Sequence, residues 1–143
     1  MTFLLDVNVL IALIDSAHVH HEMAHRWFAR EGAASWATCP LTENGALRVM
    51  GGARYPRSRG GPAAVAPSLL SLRSLKGHRF WPDDISLLAS QVVDPARLLI
   101  SAQVTDTYLL ALACSKGGRL ATLDRRLITA AVRGGVSGLC LIG

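Results

Sequence analysis

The sequence predicts an α/β fold built on a mostly parallel central sheet. Short runs rich in leucine or β-branched residues alternate with longer amphipathic stretches, which is the pattern of strands connected by crossover helices. The chain has 143 residues, near the commonest size of a single domain, so we expect one domain over residues 1–143. Half of the residues are hydrophobic and 17% are charged, which argues against a disordered or low-complexity protein.

The first fifty residues predict two strands and three helices. The first strand covers residues 2–5 and is followed by a helix over 7–14. A second helix begins near residue 20 and ends at the glycine stop signal at residue 32. A short strand over 35–38 then leads through a proline into a third helix over 41–50.

The middle of the chain begins with a loop over residues 51–64, GGARYPRSRGGPAA, which is rich in glycine, proline and arginine and is predicted to be mobile. A helix starts at residue 65 or 67 and ends at 75, and a strand follows over 79–81. Asp83 or Asp84 is expected to cap a small helix over 85–89. The last third repeats the alternation, with helices over 105–116 and 125–132 and strands over 119–123 and 138–142.

Charge and cysteine content restrict the cellular setting. Fifteen Lys and Arg against ten Asp and Glu give a net charge of +5, which favours an anionic partner such as a nucleic acid. No apolar run approaches the length that spans a bilayer, and the apolar opening lacks the basic start of a signal peptide. The three cysteines show no metal-ligand spacing and indicate a reducing cytosol: Cys39, Cys114 and Cys140. We therefore expect a cytoplasmic protein, and the lack of a long apolar run predicts no membrane partner.

Two carboxylates directly follow predicted strands. Asp6 ends the apolar run LLD, and Asp124 ends RLATLD in the same way. Ligands of open α/β sheets bind at the carboxyl ends of the strands, so both side chains are expected at that edge. A buried carboxylate needs a partner, because an unpaired buried charge costs several kcal/mol.

Two further carboxylates are placed by helical spacing. Glu43 in TENGALRVM and Asp106 in TDTYLLALA each share a helix face with apolar residues three, four and seven positions later. Both side chains should therefore point toward the core from the first turn of a helix. Taken singly, each of the four acids has a structural explanation as a cap or as a favourable charge at a helix start.

Together, the four acids favour a metal site. Four like charges cannot share one pocket without a cation, and oxygen ligands suit Mg²⁺ or Mn²⁺. Such an ion can polarise a phosphate, activate water and stabilise a leaving oxygen, so the chemistry expected is phosphodiester hydrolysis. An aromatic interleaved with arginines in the glycine-rich loop suggests substrate contacts there, at Arg54, Arg57 and Arg59.

These residues resemble the PIN-domain nucleases, and among them the VapC-type toxins of bacterial toxin–antitoxin pairs. The matching stretches are LLDVNVLIAL, PLTENGALRV, VTDTYLLALA and LATLDRRL, in the family's order and spacing. The resemblance implies a PIN-like three-layer α/β/α sandwich and a Mg²⁺-dependent endoribonuclease, with Mn²⁺ as a possible substitute. It also implies an RNA substrate, a VapB-like antitoxin and a homodimer.

The resemblance also carries residue roles onto matching positions. It makes Asp6, Glu43, Asp106 and Asp124 the catalytic acids, with Asp6, Asp106 and Asp124 as metal ligands. Of these, Asp6 and Asp106 are the expected direct ligands. Asn8 would bond the Asp6 carboxylate or the substrate, and Thr105 and Thr122 would support the ligands.

Several alternative interpretations remain at this stage. The fold could serve as a catalytically silent RNA-binding or protein-interaction module, or as a phosphatase or receiver-like phosphoacceptor domain. Zinc binding by the HVHH segment is disfavoured because His21 and His25 lack a third ligand of suitable spacing. The aromatic residues are expected to pack in the core and not to stack on bases: Trp27, Phe28, Trp36, Phe80 and Trp81.

Overall fold

A computed structural model describes residues 1–89 and 91–143 and contains a five-stranded, all-parallel sheet. The strands are β1 (Phe3–Leu5), β2 (Trp36–Thr38), β3 (His78–Phe80), β4 (Arg119–Thr122) and β5 (Leu139–Leu141). Their order across the sheet is β3-β2-β1-β4-β5. The helices are α1 (Val7–Ile14), α2 (His21–Trp27), α3 (Pro40–Met50), α4 (Pro62–Arg73) and α5 (Val104–Ser115). A π-helical turn, Phe28–Gly32, extends α2, and 3₁₀ turns cover Pro95–Arg97 and Ser101–Gln103.

Both faces of the sheet are covered, which confirms the predicted three-layer α/β/α arrangement. Alternate strand residues point to opposite faces, so Leu5 and Trp36 pack with α1 to α4 while Leu4 and Leu120 pack with α5. All four of these side chains are fully buried. Strands buried on both faces are the expected consequence of parallel pairing, which requires crossover helices.

The strand order changes direction beside β1. The chain runs from β1 outward through β2 to β3, then returns to place β4 against the other side of β1, with Leu5 paired to Ala121. The residues that follow these two strands therefore emerge side by side at the carboxyl edge. Open α/β sheets bind ligands at such a switch point, since the connections diverge there and leave a crevice.

The helix predicted over 125–132 is wrong. The backbone of this segment bonds to residues 92–94 instead: the Asp94 N–H donates to the Ala131 carbonyl, and the Arg133 N–H to the Val92 carbonyl. Val132 and Val93 form an antiparallel bridge and are both buried. Long-range pairing with burial outweighs a modest local helix propensity.

The helix predicted over 85–89 is also wrong, because its expected caps serve other elements. A carboxylate oxygen of Asp83 accepts the Leu41 N–H at the start of α3, and Asp84 pairs with Lys116 at 2.8 Å. Residues 87–89 form only a turn. The preceding loop is shorter than predicted, since α4 starts at Pro62, a residue suited to the first helical position.

The histidines of α2 bind the end of α1. The ring nitrogens Nδ1 of His21 and Nε2 of His25 lie 2.7 and 3.0 Å from the carbonyl oxygens of Ala12 and Leu13. These carbonyls belong to the last turn of α1 and lack helical partners, so the histidines satisfy them as donors. Both side chains thus have a structural role.

The aromatic residues divide between the core and the surface. Trp27, Phe28 and Trp36 are buried as predicted, but Phe80 is 46% exposed and lies under the Arg73 guanidinium at 5.1 Å. All three cysteines are unpaired and Cys39 is fully buried. Among the described residues, no helix is long and apolar enough to cross a membrane.

Candidate active site

Asp6 lies at the centre of the switch point and is held from both sides. It follows β1 and caps α1, where its Oδ1 accepts the Val7 N–H at 2.7 Å. Its Oδ2 accepts the hydroxyl of Thr122, the last residue of β4, also at 2.7 Å. The aspartate is only 6% exposed, and Thr122 is fully buried. The carboxylate is therefore fixed in position before any ligand arrives.

Asn8 connects the two strand ends that form the site. Its Nδ2 donates to Thr122 Oγ1 at 3.1 Å and makes a longer, 3.4 Å contact with Asp6 Oδ2. Its Oδ1 accepts the Leu123 N–H at 3.1 Å. The Thr122 hydroxyl oxygen also accepts the Asp124 N–H, so one network sets the relative positions of Asp6 and Asp124.

Three of the predicted acids share one electrostatic environment. Burial raises the pKa of Asp6, and the charge of Asp124 adds to this, while the hydrogen bonds from Thr122 and Val7 oppose it. Burial is also the main cause of a raised pKa at Asp106, in the first turn of α5, followed by the charges of Asp6 and Asp124. The structure therefore brings Asp6, Asp106 and Asp124 close enough for the charge of Asp124 to disfavour ionisation of Asp6, and for the charges of both to disfavour ionisation of Asp106.

These three carboxylates have no cationic partner within the described ranges. The ion pairs there involve five other acids, and neither Arg125 nor Arg126 approaches Asp124 closely enough to form one. Among residues 1–89 and 91–143, no three His, Cys, Asp or Glu side chains are arranged to hold a metal by themselves. Mg²⁺ needs only one or two carboxylates, with water and substrate phosphate completing its shell, so this donor set fits such an ion.

Glu43, the fourth predicted acid, has a separate set of partners. Its Oε2 accepts the Thr38 hydroxyl at 2.6 Å, and its Oε1 lies 3.3 Å from Arg73 Nη1. Because the Thr38 hydroxyl donates its hydrogen to Glu43, the hydroxyl oxygen is left to accept a hydrogen bond from His78 Nε2, which lies 2.7 Å away. Burial and the charge of Arg73 lower the pKa of His78, while the charge of Glu43 partly offsets this by raising it.

Sequence reasoning missed the partners of Glu43. Thr38 ends β2 five residues before Glu43, so its proximity could have been anticipated from the predicted strand-to-helix junction. Arg73 and His78 lie thirty or more residues later along the chain. Only the packing of α4 against α3 and the pairing of β3 with β2 bring them near. Thr105, another predicted supporting residue, is exposed.

The arginine-rich loop is attached to the end of α1. Asp15 is 6% exposed and accepts hydrogen bonds from the Tyr55 hydroxyl and from Arg57 Nε, the latter at 2.5 Å. Arg59 Nη1 donates to Ser68 Oγ at 3.0 Å, and Arg54 is exposed. Of the three arginines predicted to contact substrate, Arg57 is thus already bound to a carboxylate.

We expect Asp15→Asn to destabilise the protein by about 1 kcal/mol at pH 7, because Tyr55 and Arg57 would lose their anionic acceptor. Despite its burial, the bonds from Tyr55 and Arg57 lower the pKa of Asp15 to about 2. The contribution of Asp15 to folding stability is therefore complete above pH 3.8, the pKa of an ordinary aspartate, and is lost as the pH falls toward 2. Urea unfolding of the wild type and of Asp15→Asn should show a difference in the free energy of unfolding at pH 7, and this difference should shrink toward pH 2. A difference independent of pH would contradict this explanation.

Comparison with known proteins supports one family. The PIN domain model matches residues 3–132. The chain is 43% identical over 134 residues to Ribonuclease VapC39 of Mycobacterium tuberculosis, covering 94% of this chain and 96% of that protein. It is also 43% identical over 137 residues to Ribonuclease VapC44 of the same organism, covering 94% of each.

A solved structure, that of M. tuberculosis VapC20, aligns with 59% of each chain at 19% identity and a TM-score of 0.45. Similarity at this level says nothing about activity, and the assignment rests on the family model and the two full-length relatives. A match over residues 3–132 includes strands β1 to β4, helices α1 to α5 and the four acids described above. The chain therefore belongs to the PIN-domain family, as a VapC-type member.

Proposed function

We propose that this protein is a divalent-metal-dependent endoribonuclease and the toxin component of a toxin–antitoxin pair. The observation that carries the proposal is the trio Asp6, Asp106 and Asp124, three carboxylates at the sheet switch point that form no ion pair within residues 1–89 and 91–143. The charge of Asp124 helps to raise the pKa of Asp6, and the charges of both help to raise that of Asp106. The relatives named as ribonucleases support RNA as the substrate. The excess of Lys and Arg is consistent with a polyanionic ligand.

The metal proposed is Mg²⁺, with Mn²⁺ as a substitute, held by Asp6 and Asp106 and completed by Asp124. When bound, it supplies Lewis-acid stabilisation of the charge on the phosphate and leaving oxygen. Asp6 is suited to this role because Val7 and Thr122 leave it little freedom to rotate. A ligand fixed in advance loses little conformational entropy when it binds.

The roles proposed for the other residues follow from how exposed each side chain is and which partners it already has. Asp124 is half-buried and adjoins an open cavity, so it is the acid placed to accept a proton from attacking water. Glu43 already has a cationic partner in Arg73 and accepts the Thr38 hydroxyl, so its carboxylate is less available to attacking water than that of Asp124. Asn8 is committed to the network that positions Asp6, so its support of catalysis is indirect. Arg54 and Arg59 are exposed and would contact RNA phosphates.

The first test is cleavage of total cellular RNA by the purified, antitoxin-free protein with Mg²⁺, with Mn²⁺ and with chelator. Discrete fragments that require metal and carry 5′-phosphate and 3′-hydroxyl ends would support the proposal. Fragments ending in 2′,3′-cyclic phosphate would contradict it, because that product arises from attack by the ribose 2′ oxygen. Folded protein that cleaves no RNA under any of the conditions would instead favour a silent binding module.

The toxin role predicts partners as well as activity. We propose a VapB-like antitoxin, a homodimer and a cytoplasmic location, all from membership of the VapC-type group. Induced expression should arrest growth, and co-expression of the cognate antitoxin should restore it. Light scattering on the purified protein should give twice the 15.3 kDa chain mass. Growth unaffected by active enzyme would remove the toxin assignment while leaving the nuclease.

Thr122→Val should reduce metal affinity and cleavage by about 10- to 100-fold, as loss of a group that orients a metal ligand usually does. Valine keeps the shape but removes the donor to Asp6 and the acceptor for Asn8 and Asp124. Thr122→Ser retains the hydroxyl and is the matched control. Calorimetric Mg²⁺ titration and RNA cleavage would be measured for both. Equal losses in the two variants would show that packing, not the hydroxyl, matters.

Glu43→Gln should cost less activity than any change in the trio, about 10-fold or less, because Arg73 already neutralises this acid. Glutamine can still accept from Thr38. Initial cleavage rates of Glu43→Gln, Asp106→Asn and Arg73→Gln would be compared with wild type. A loss at Glu43 as large as that at Asp106 would place Glu43 in the chemical step and overturn this ranking.

A further inference from the structure

A cavity of about 330 Å³ opens directly beside Asp124. Asp124 lines this cavity itself, and the other lining residues divide into an apolar wall and a polar side that carries cations. The apolar wall consists of Met23, Leu123 and Ile142, and the polar side consists of His20, Arg125 and Arg126.

The apolar wall is rigidly connected to the site. Ile142 is 3% exposed, and its N–H donates to the Thr122 carbonyl at 2.9 Å, so it continues the pairing of β5 with β4. Met23 comes from α2 and is half-buried. Gly143 lies between Met23 and Arg125 and leaves no room for a larger side chain. A Cβ atom added to this glycine would lie 2.9 Å from Met23 Sδ and 3.3 Å from Arg125 Nη2.

The cations of the other wall are available to a ligand. Arg125 and Arg126 are exposed, and neither forms an ion pair with an acid in residues 1–89 or 91–143. The Arg126 N–H donates to Asp124 Oδ1 at 2.9 Å, which folds the turn so that both arginines follow the acid closely. Two guanidinium groups that have no acidic partner in the described part of the chain attract a phosphate and provide paired donors for its oxygens.

We propose that this cavity is a nucleotide subsite in which the base next to the scissile bond packs on Met23, Leu123 and Ile142 while Arg125 and Arg126 bind its phosphate. This inference rests on the proposed function and adds where the RNA lies relative to the acids. The volume is near the lower limit for small-ligand pockets, which suits one nucleotide. Single-stranded RNA is commonly bound by a surface for the base together with cations for the backbone; aromatic side chains usually form that surface, and here aliphatic side chains would do so.

Methionine methyl NMR tests the subsite without relying on cleavage. The chain has three methionines, and they differ in setting: Met23 lines the cavity, Met50 is buried in the core and Met1 is exposed. Methyl-labelled, chelator-treated protein would be titrated with the four ribonucleoside 5′-monophosphates, and separately with ribose 5-phosphate. Met23→Leu assigns the signal. The variants are Arg125→Gln and Arg126→Gln, with Arg133→Gln as a control that removes the same charge from an exposed turn before β5.

We expect at least one nucleotide to shift the Met23 signal and not that of Met50, because an aromatic base changes the local magnetic field. Ribose 5-phosphate should bind without this shift. Arg125→Gln and Arg126→Gln should each weaken nucleotide binding by about 3- to 10-fold, and Arg133→Gln should not. A Met23 signal that no nucleotide moves, or equal weakening by Arg133→Gln, would overturn the subsite.

The two proposals fail separately in this design. Protein that cleaves RNA in a metal-dependent way but shows no Met23 shift retains its function and loses the subsite. Protein that binds nucleotides at Met23 but cleaves no RNA retains the subsite as a binding site and loses the nuclease activity. Mapped cleavage ends give a further readout, since Met23→Ala should relax base preference at one position beside the cut if the subsite is correct.

Discussion

Replacing Asp106 by asparagine is expected to reduce RNA cleavage by at least about 10²-fold, since a direct metal ligand should matter more than the groups that support it. Asp106 lies at the start of α5, half-buried, where its charge is disfavoured by burial and by Asp6 and Asp124. Asparagine has nearly the same shape and removes only the charge. Asp6→Asn should have a similar effect on cleavage.

The matched control is Glu22→Gln, which removes one negative charge from an exposed position on α2. It should cleave RNA like the wild type. Circular dichroism and the urea midpoint should show that all three variants are folded. Full activity of folded Asp106→Asn would contradict the assignment, and so would an equal loss in Glu22→Gln, which would indicate a general effect of charge.

Mg²⁺ is expected to stabilise the wild-type protein substantially. At a concentration 100 times the dissociation constant, one site adds about 2.7 kcal/mol, or roughly 5 to 10 °C in Tm for a chain of this size. The physical source is relief of the repulsion among Asp6, Asp106 and Asp124, which have no cationic partner in the described residues. Differential scanning calorimetry with Mg²⁺ and with chelator measures the shift.

Asp106→Asn should abolish most of the Mg²⁺ shift and also change the pH dependence of the metal-free protein. Because the folded-state pKa values of Asp6 and Asp106 are raised, folding takes up protons above pH 3.8, and stability falls as the pH rises toward neutral. Without metal, Asp106→Asn should therefore have a higher free energy of unfolding than the wild type at pH 7, and this advantage should disappear near pH 4. An unchanged Mg²⁺ shift in Asp106→Asn would locate the ion elsewhere.

Local sequence signals identified most of the fold. All five strands, and α1, α2, α3 and α5, lie within a few residues of their predicted positions, because each combines a clear apolar pattern with an explicit start or stop signal. The helix predicted over 125–132 failed since its backbone pairs with residues 92–94. The helix over 85–89 failed since Asp83 and Asp84 bond to α3 and Lys116. In both cases a distant segment competed with a weak local preference.

Short stretches of the amino-acid sequence were enough to predict the alternation of strands and helices and the positions of Asp6 and Asp124 at strand ends. These properties depend on side-chain periodicity and on neighbouring residues, which are present in any short window. The packing of distant segments was needed to show that Asp106 is affected by the charges of those two acids, whereas Glu43 is paired with Arg73. The strength of an ionic interaction depends on separation and solvent exposure, and chain packing sets both quantities.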